Sequence, residues 1–310
     1  MSSPAIHVLY ENEEWMQALA EALDRAELPF RPWNLASGQV DITQKPPEGI
    51  FFNKMSASAH SRGHAHAVDL AAAVLSWLEQ HGRRVINGRR ALQLELRKTE
   101  QYAAMQQVGL RVPRTLVALE KKGLAKAAQQ MGFPFILKPN RGGKGLGVDL
   151  FQEAKAWEAF LERSDLASLS QDGLFLVQQY LQTPDQTVTR MEFIEGRFYY
   201  AVRVHTGGSF ELCPADGCAL DQPDRSSPGF EILEDFQLPE IKQCEAFLAA
   251  QGIEVAGMEF MQEADGQRYF YDVNTNTNYN SEAEARLGNR FNGLGRVAAF
   301  LGKALKKQYP

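Results

Sequence analysis

The amino-acid sequence predicts an α/β fold in three subdomains, and three features predict it. From Ala5 to Asn87 short apolar runs alternate with helix-period segments, a glycine-rich loop follows directly on an apolar strand in the middle of the chain, and from about Phe175 the pattern changes to paired strands. AIHVLY reads as the first strand, and Glu11, Glu13 and Glu14 then stand where a helix start favours negative charge. Trp15, Leu19 and Leu23 follow at helical spacing, and LPFRPWNLASG reads as a turn-rich connection. GIFF is a strand, NKMSASAHSRGHAH a loop, AVDLAAAVLSWLEQHG a helix stopped by Gly82, and RRVIN a short strand. Strands separated by helices imply a mostly parallel sheet.

A second unit starts near Arg89 with a helix carrying Leu92, Leu96, Tyr102 and Met105 up to Gly109, followed by the strand LRVPRTLVA, a helix and the strand FPFILKP. Two hairpins, TVTRMEFIEGRFYYAVRV and VAGMEFMQEADGQRYFYDVNTN, and the closing helix FNGLGRVAAFLGKALKK complete a third, while ALDQPDRSSPG is a long polar connection. The expected units are 1–88, 89–174 and 175–310.

With 310 residues, 44% hydrophobic and 23% charged, the chain is neither disordered nor fibrous. A net charge of -5 without a lysine or arginine run argues against nucleic acid and anionic membranes and for small-molecule partners. Cys213, Cys218 and Cys244 form no CxxC pair, against a disulfide framework or structural zinc. No signal-like start occurs and AVDLAAAVLSWL is too short to span a bilayer, so a cytoplasmic protein is expected, with a homodimer as the commonest oligomer.

The first chemical signal is RGGKGLGV, in which Gly142, Gly143, Gly145 and Gly147 let backbone N–H groups approach phosphate oxygens and Lys144 adds charge. It matches neither the P-loop nor the dinucleotide fingerprint, and a surface turn is the plain alternative. Lys138, at the end of FPFIL, would be costly to bury unless an anion paired with it. The second signal is a register argument: a two-residue Asp265-Gly266 turn makes Glu259 the cross-strand partner of Asp272, with Asn274 on the same face and Met258, Phe260, Tyr269, Tyr271 and Val273 on the core face. Opposed carboxylates repel without a cation, and this oxygen set suits Mg²⁺; a solvated polar face is the alternative.

In the other hairpin, a Glu195-Gly196 turn places Arg190 opposite Ala201, so that Arg190 and Arg203 share a face as an anion site, unless Glu192 and Arg197 make that face an ion-paired surface. The loop holding His60, His64 and His66 has no zinc spacing, so Ser56, Ser58, Arg62 and His64 are candidate substrate contacts, as is Asn276 beyond the second hairpin.

A lysine on a strand before a glycine loop, the segment VQQYL, and then Glu259, Asp272 and Asn274 on a hairpin resemble, in that order, the ATP-grasp superfamily. The branch most similar contains glutathione synthetase and the ribosomal-protein glutamate ligases, and the likeness runs from about Val85 to Ala299. It implies an ATP-grasp fold with an N-terminal Rossmann-like domain, and a carboxylate-amine ligase that works through an acyl phosphate with ATP and Mg²⁺, two ions per site, Mn²⁺ being an alternative. By the same resemblance Lys98 and Lys138 bind the nucleotide phosphates, Arg141 to Gly147 form the lid, Gln178, Gln179, Tyr180 and Leu181 hold the adenine, and Asp185 the ribose. Arg190 and Arg203 lie near the transferred phosphate, and Glu259, Asp272 and Asn274 hold the metal. A kinase of the same fold, or a nucleotide-binding module without turnover, shares these features. The chain departs from the family after Asn274, where NTNTNYNSEAEARLG replaces a Pro-Gly turn.

Overall fold

The computed structural model describes residues 3–143, 145–163, 165–206, 229–288 and 290–310, so Lys144, Cys213, Cys218 and most of ALDQPDRSSPG lie outside the described residues. Among those described, three sheets are present. The first has the order β2-β1-β3-β4 and is parallel, built from β1 (Ala5–Tyr10), α1 (Glu13–Arg25), β2 (Phe30–Asn34), β3 (Gly49–Asn53), α2 (Ala67–Gln80) and β4 (Arg84–Ile86). Every residue of β1 is buried, as a strand covered on both faces requires. Asn12 caps α1 by accepting from the Trp15 N–H at 3.3 Å, and Trp15, Met16, Leu19 and Leu23 bury the helix face.

Two expectations fail here. The segment read as a turn contains β2, where Pro32 is tolerated because the strand lies at the sheet edge. The helix expected from Leu92 to Met105 is two, α3 (Arg89–Leu96) and α4 (Lys98–Gln107), broken at Arg97. The break has a tertiary cause: the Asn140 side chain accepts from the Thr99 N–H at 3.0 Å and starts a new helix with Lys98 in its first turn.

The second sheet, β5-β8-β6-β7, is antiparallel and comprises β5 (Thr115–Leu119), β6 (Phe135–Pro139), β7 (Asp149–Phe151) and β8 (Leu174–Gln179), with α5 (Glu120–Met131) and α6 (Ala154–Leu161) against it. The third, β11-β10-β9-β12-β13, contains β9 (Thr187–Ile194), β10 (Arg197–His205), β11 (Phe230–Leu233), β12 (Val255–Gln262) and β13 (Arg268–Asn274). α7 (Ile241–Gln251) and α4 pack on its inner face, where Phe193, Phe247, Phe270 and Met258 are fully buried. After α8 (Ser281–Arg286), α9 (Gly293–Gln308) returns to the first unit, with Val297, Leu301 and Leu305 against Ile6, Leu19 and Phe52. We retain 1–88, 89–174 and 175–310 as a proposed division, although β8 pairs within the second sheet and α9 docks on the first.

Both hairpins carry a bulge. In β9–β10 the two-residue turn forms as expected, with Ile194 opposite Arg197, but a shift between Phe198 and Tyr200 puts Arg190 opposite Val202 and Arg203 opposite Thr189. The two arginines therefore occupy opposite faces. In β12–β13 the turn is longer than two residues, Gln262 pairing with Arg268, and a bulge after Glu259 restores the Glu259–Asp272 pair. The same bulge exchanges the tyrosines for Phe270 on the core face, leaving Tyr271 to line a cavity.

One buried side chain joins the first unit to the third. Asn87, with φ 55°, donates to the Val255 and Thr275 carbonyls at 2.7 and 2.8 Å and accepts from the Glu254 and Val255 N–H groups at 2.9 and 3.2 Å. Asn87→Ala leaves those groups unpaired and places alanine in the left-handed region, so a loss of about 3 kcal/mol or more is expected, read as a fall of the thermal midpoint by several degrees. A midpoint within a degree of wild type would show that Asn87 is not a tie between the units.

Candidate active site

The three units converge on a cavity of about 140 Å³. The first unit contributes Trp15, Ser56 and Ser58; α3 and α4 contribute Glu95 and Lys98; β6 and the loop after it contribute Lys138, Gly142, Gly143 and Gly145. The third sheet adds Arg190, Glu259, Tyr271, Asp272 and Asn274, and the segment beyond β13 adds Asn276 and Asn278. Serines at the C-terminal end of β3 stand beside β1, where an open parallel sheet with this strand order has its switch point and binds ligands.

The lysines have opposite electrostatics. Lys98 Nζ donates to Asp272 Oδ1 at 2.5 Å; burial works against its charge, but the Asp272 carboxylate prevails and holds its pKa at about 12. Lys138 Nζ donates to the Tyr102 hydroxyl at 2.6 Å and has no carboxylate that close among the described residues, so burial, with Lys98 nearby, lowers its pKa to about 7. Tyr102 also accepts from Gln178 Nε2 at 3.1 Å and donates to the Tyr271 carbonyl at 3.0 Å, which ties α4, β6, β8 and β13 together.

Across the cavity, Glu259 is buried, and its carboxyl is pushed up by burial and by Asp272 against the pull of Arg190. It accepts from Tyr271 at 2.9 Å and from Arg190 and Asn274, both at 3.3 Å. Arg190 is aimed by its neighbours: Nε donates to Glu192 at 2.6 Å, Nη2 bonds Thr277, and the Thr277 hydroxyl donates to Glu192 at 2.6 Å. The ion-paired alternative thus holds for Glu192, while Arg197 pairs elsewhere, with Glu245. Gly257 makes room for this arrangement, because a Cβ there would stand 2.6 Å from Arg190 Nε and 3.0 Å from Cζ.

Of the residues named from sequence, Lys98, Lys138, Gly142, Gly143, Gly145, Arg190, Glu259, Asp272, Asn274, Ser56, Ser58 and Asn276 line this one cavity. Others do not. Arg203 pairs with Glu231 at 3.3 Å on the far face of the sheet, which removes it from an anion site with Arg190. Arg62 and His64 are held by the buried Glu11 carboxylate, His64 Nδ1 at 2.9 Å. Gln178 and Gln179 end β8, and the Gln178 amide donates to Thr115 at 2.8 Å as well as to Tyr102. Tyr180 and Leu181 follow that strand, Asp185 caps the Thr187 hydroxyl at 2.8 Å, and Gly147 packs on Pro139. None of these lines the cavity. Sequence reasoning also missed Glu95, Tyr102, Gly257 and Thr277, and named Glu192 only as part of an ion-paired surface. Gly257 alone carried a signal, a glycine inside a strand pattern, whereas Tyr102 reads as an ordinary core position.

The donor set fits a hard cation beside phosphate groups. Two carboxylates and an amide face one another, the Glu259 carboxyl is pushed up by burial and by Asp272, and glycines form the facing loop. Among the described residues no cluster of three histidine, cysteine, aspartate or glutamate side chains could hold a metal, and no helix is long and apolar enough to cross a membrane.

This architecture is the ATP-grasp fold, and the resemblance to ATP-grasp carboxylate-amine ligases drawn from the sequence holds. The ATP-grasp ligase PsnB, complexed with a minimal precursor, superposes with a TM-score of 0.67 at 20% identity over 99% of this chain and all of that one. A RimK domain ATP-grasp protein from Sphaerobacter thermophilus gives 0.65 at 17% identity over 95% of this chain and 99% of its own. In sequence, the D-alanine–D-alanine ligase of Stutzerimonas stutzeri is 28% identical over 191 residues, which cover 60% of this chain and 56% of the relative. The glutamate–LysW ligase ArgX of Sulfurisphaera tokodaii is 28% identical over 146 residues, 46% of this chain and 51% of that protein. The chain thus spans about half the length of the curated relatives it matches, and no family model matches it.

Proposed function

We propose that the chain is an ATP-dependent carboxylate-amine ligase that joins a small amino-acid-like acid to an amine through an acyl phosphate. One observation carries this reading: a buried and a half-buried lysine, a glycine loop, an aimed arginine and two opposed carboxylates face a single cavity. The relatives' names, ligases of D-alanine or glutamate, support an amino-acid-like substrate, and one PsnB structure holds Mg and ADP. A carboxylate is a poor electrophile, so a phosphoryl group must first make its oxygen a leaving group that an amine can displace.

In this reading Lys98 and Lys138 hold the nucleotide phosphates and Arg190 the transferred group. Glycines 142 to 147 exclude water, the backbone of 178–181 meets the adenine, and Asp185 meets the ribose. Glu259, Asp272 and Asn274 would hold Mg²⁺, two ions or Mn²⁺ in their place, which neutralises phosphate charge when bound. No enzyme nucleophile takes part.

The test is ADP formation from Mg·ATP with pooled amino acids, hydroxy acids and short peptides, followed by mass spectrometry. A product equal in mass to acid plus amine minus water is expected. A phosphorylated alcohol, or nucleotide binding with no turnover in any pool, would overturn the ligase reading in favour of a kinase or a binding module.

Gly257→Ala gives a further expectation. Its methyl would meet the Arg190 guanidinium at under 3.0 Å and turn it out of the cavity. Turnover should fall about tenfold or more, and the thermal midpoint should drop by several degrees, because the displaced guanidinium leaves the buried Glu192 and Glu259 carboxylates without their cation. Wild-type turnover would show that Arg190 is not needed where it stands.

A further inference from the structure

Ser56 and Ser58, in the turn after β3, line the cavity, and each is at most 8% exposed. Their hydrogen bonds can be counted. The two hydroxyl oxygens are 2.9 Å apart, Ser56 Oγ accepts from the Ser58 N–H at 3.2 Å, and Ser58 Oγ accepts from Arg62 Nη1 at 3.0 Å. Arg62 is itself fixed by the buried Glu11 carboxylate and stacks over Trp15 at 4.7 Å. The two hydroxyls carry two protons, and their mutual bond uses one. If Ser56 donates to Ser58, the Ser58 oxygen has both acceptor positions filled and its own O–H to spare; if the bond runs the other way, the same holds for Ser56. In either state one hydroxyl offers an O–H donor from an oxygen whose acceptor positions are filled, while its partner keeps one acceptor position.

The neighbouring Glu95 carboxylate has three of its roughly four acceptor positions filled. Glu95 Oε1 accepts from the Ala57 N–H at 3.2 Å, and Oε2 accepts from the Thr275 N–H at 2.6 Å and its hydroxyl at 3.1 Å. An independent observation concerns Asn276, which lines the same cavity, is 8% exposed and has neither Nδ2 nor Oδ1 in a hydrogen bond. An amide buried without partners is costly, which marks the place of an absent ligand group. The glycine-rich loop lies against the same spot: a Cβ at Gly143 would lie 3.3 Å from the Ser58 Cβ.

We propose that the Ser56–Ser58 turn and the Asn276 amide form an oxyanion-binding wall, in which one serine O–H and the Asn276 Nδ2–H donate to a ligand oxygen that only accepts. An ammonium group cannot use the serine donor. Resting on the ligase reading, the oxyanion is the carboxylate of the acid substrate; a nucleotide phosphoryl oxygen has the same chemistry. Arg62, which touches the cavity only through Ser58, is a positioning residue.

The test uses the full chain with sodium acetate and methylammonium chloride as minimal probes, followed by NMR of the Asn276 side-chain amide and of the residue-58 backbone amide, the latter serving where Asn276 is replaced, and with Mg·AMP-PNP by calorimetry. Acetate should shift the Asn276 resonance saturably and at least tenfold more tightly than methylammonium, and Ser58→Ala and Asn276→Leu should each weaken acetate about tenfold while leaving Mg·AMP-PNP affinity within about twofold. A tenfold loss of Mg·AMP-PNP affinity in both variants supports the wall with phosphoryl as the source. Binding of methylammonium instead of acetate, no acetate binding by wild type, or acetate and Mg·AMP-PNP both indifferent to the two substitutions would overturn it. Because the two variants lie on different elements, misfolding of one leaves the other decisive. A chain that binds acetate as described but turns over no acid would end the ligase reading and leave the wall standing.

Discussion

Asp272→Asn is expected to lower ADP-forming turnover by about a hundredfold or more while the fold survives. Asp272 stands opposite Glu259 across β12 and β13, and it is also the carboxylate that keeps Lys98 charged in a buried site. The substitution preserves shape and one acceptor oxygen but removes a charge from the donor set proposed for Mg²⁺, where charge governs affinity for a hard cation. A second readout follows: the Mg²⁺ concentration giving half-maximal rate should rise about tenfold or more, and excess Mg²⁺ should recover part of the rate. A merely structural aspartate would lose rate without that shift. Wild-type turnover, or an unchanged Mg²⁺ requirement alongside a collapsed thermal midpoint, would remove Asp272 from the metal site.

Lys138→Met should cost a similar factor, and it carries a pH signature whose sign can be worked out. With its pKa lowered from 10.5 to about 7 by burial and by Lys98, Lys138 is neutral at pH 8.5 in the nucleotide-free protein. A triphosphate beside it favours the ammonium, so Mg·AMP-PNP binding at pH 8.5 should take up nearly one proton, measured by calorimetry in buffers of different ionisation enthalpy. Lys138→Met should abolish the uptake. The unfolded chain binds this proton up to pH near 10.5 and the folded chain only to about 7, so stability rises with pH across that window and the burden is complete below it. Lys138→Met should therefore be more stable than wild type at pH 6, by several kcal/mol at most, and gain little near pH 10. Equal proton uptake by variant and wild type would assign the titration to another group.

Several parts of the molecule were legible in the amino-acid order because short-range chemistry decides them. The alternation of AIHVLY, an acidic helix start and GIFF specified the parallel first sheet, and the glycines of RGGKGLGV marked a loop whose backbone must stay open. The pairing of Glu259 with Asp272 was legible too, but for an incomplete reason: a longer turn and a bulge shift the register in opposite directions and cancel. In β9–β10 nothing cancels the bulge, and Arg203 leaves the face of Arg190. A one-residue shift reverses every side chain beyond it, and no pattern of alternation announces where it occurs.

The remaining features are contacts between residues distant along the chain. Asn140 ends one helix and begins the next, placing Lys98; Glu11 withdraws Arg62 and His64 from the cavity; Glu95 joins Ala57 to Thr275; and Gly257 admits Arg190. Residue type, spacing and charge thus determined which elements form and which groups can do chemistry. Which of those groups meet, which are already bonded and which stay unpaired follow from long-range burial, since desolvation acts on a side chain only after three separate units have closed around it.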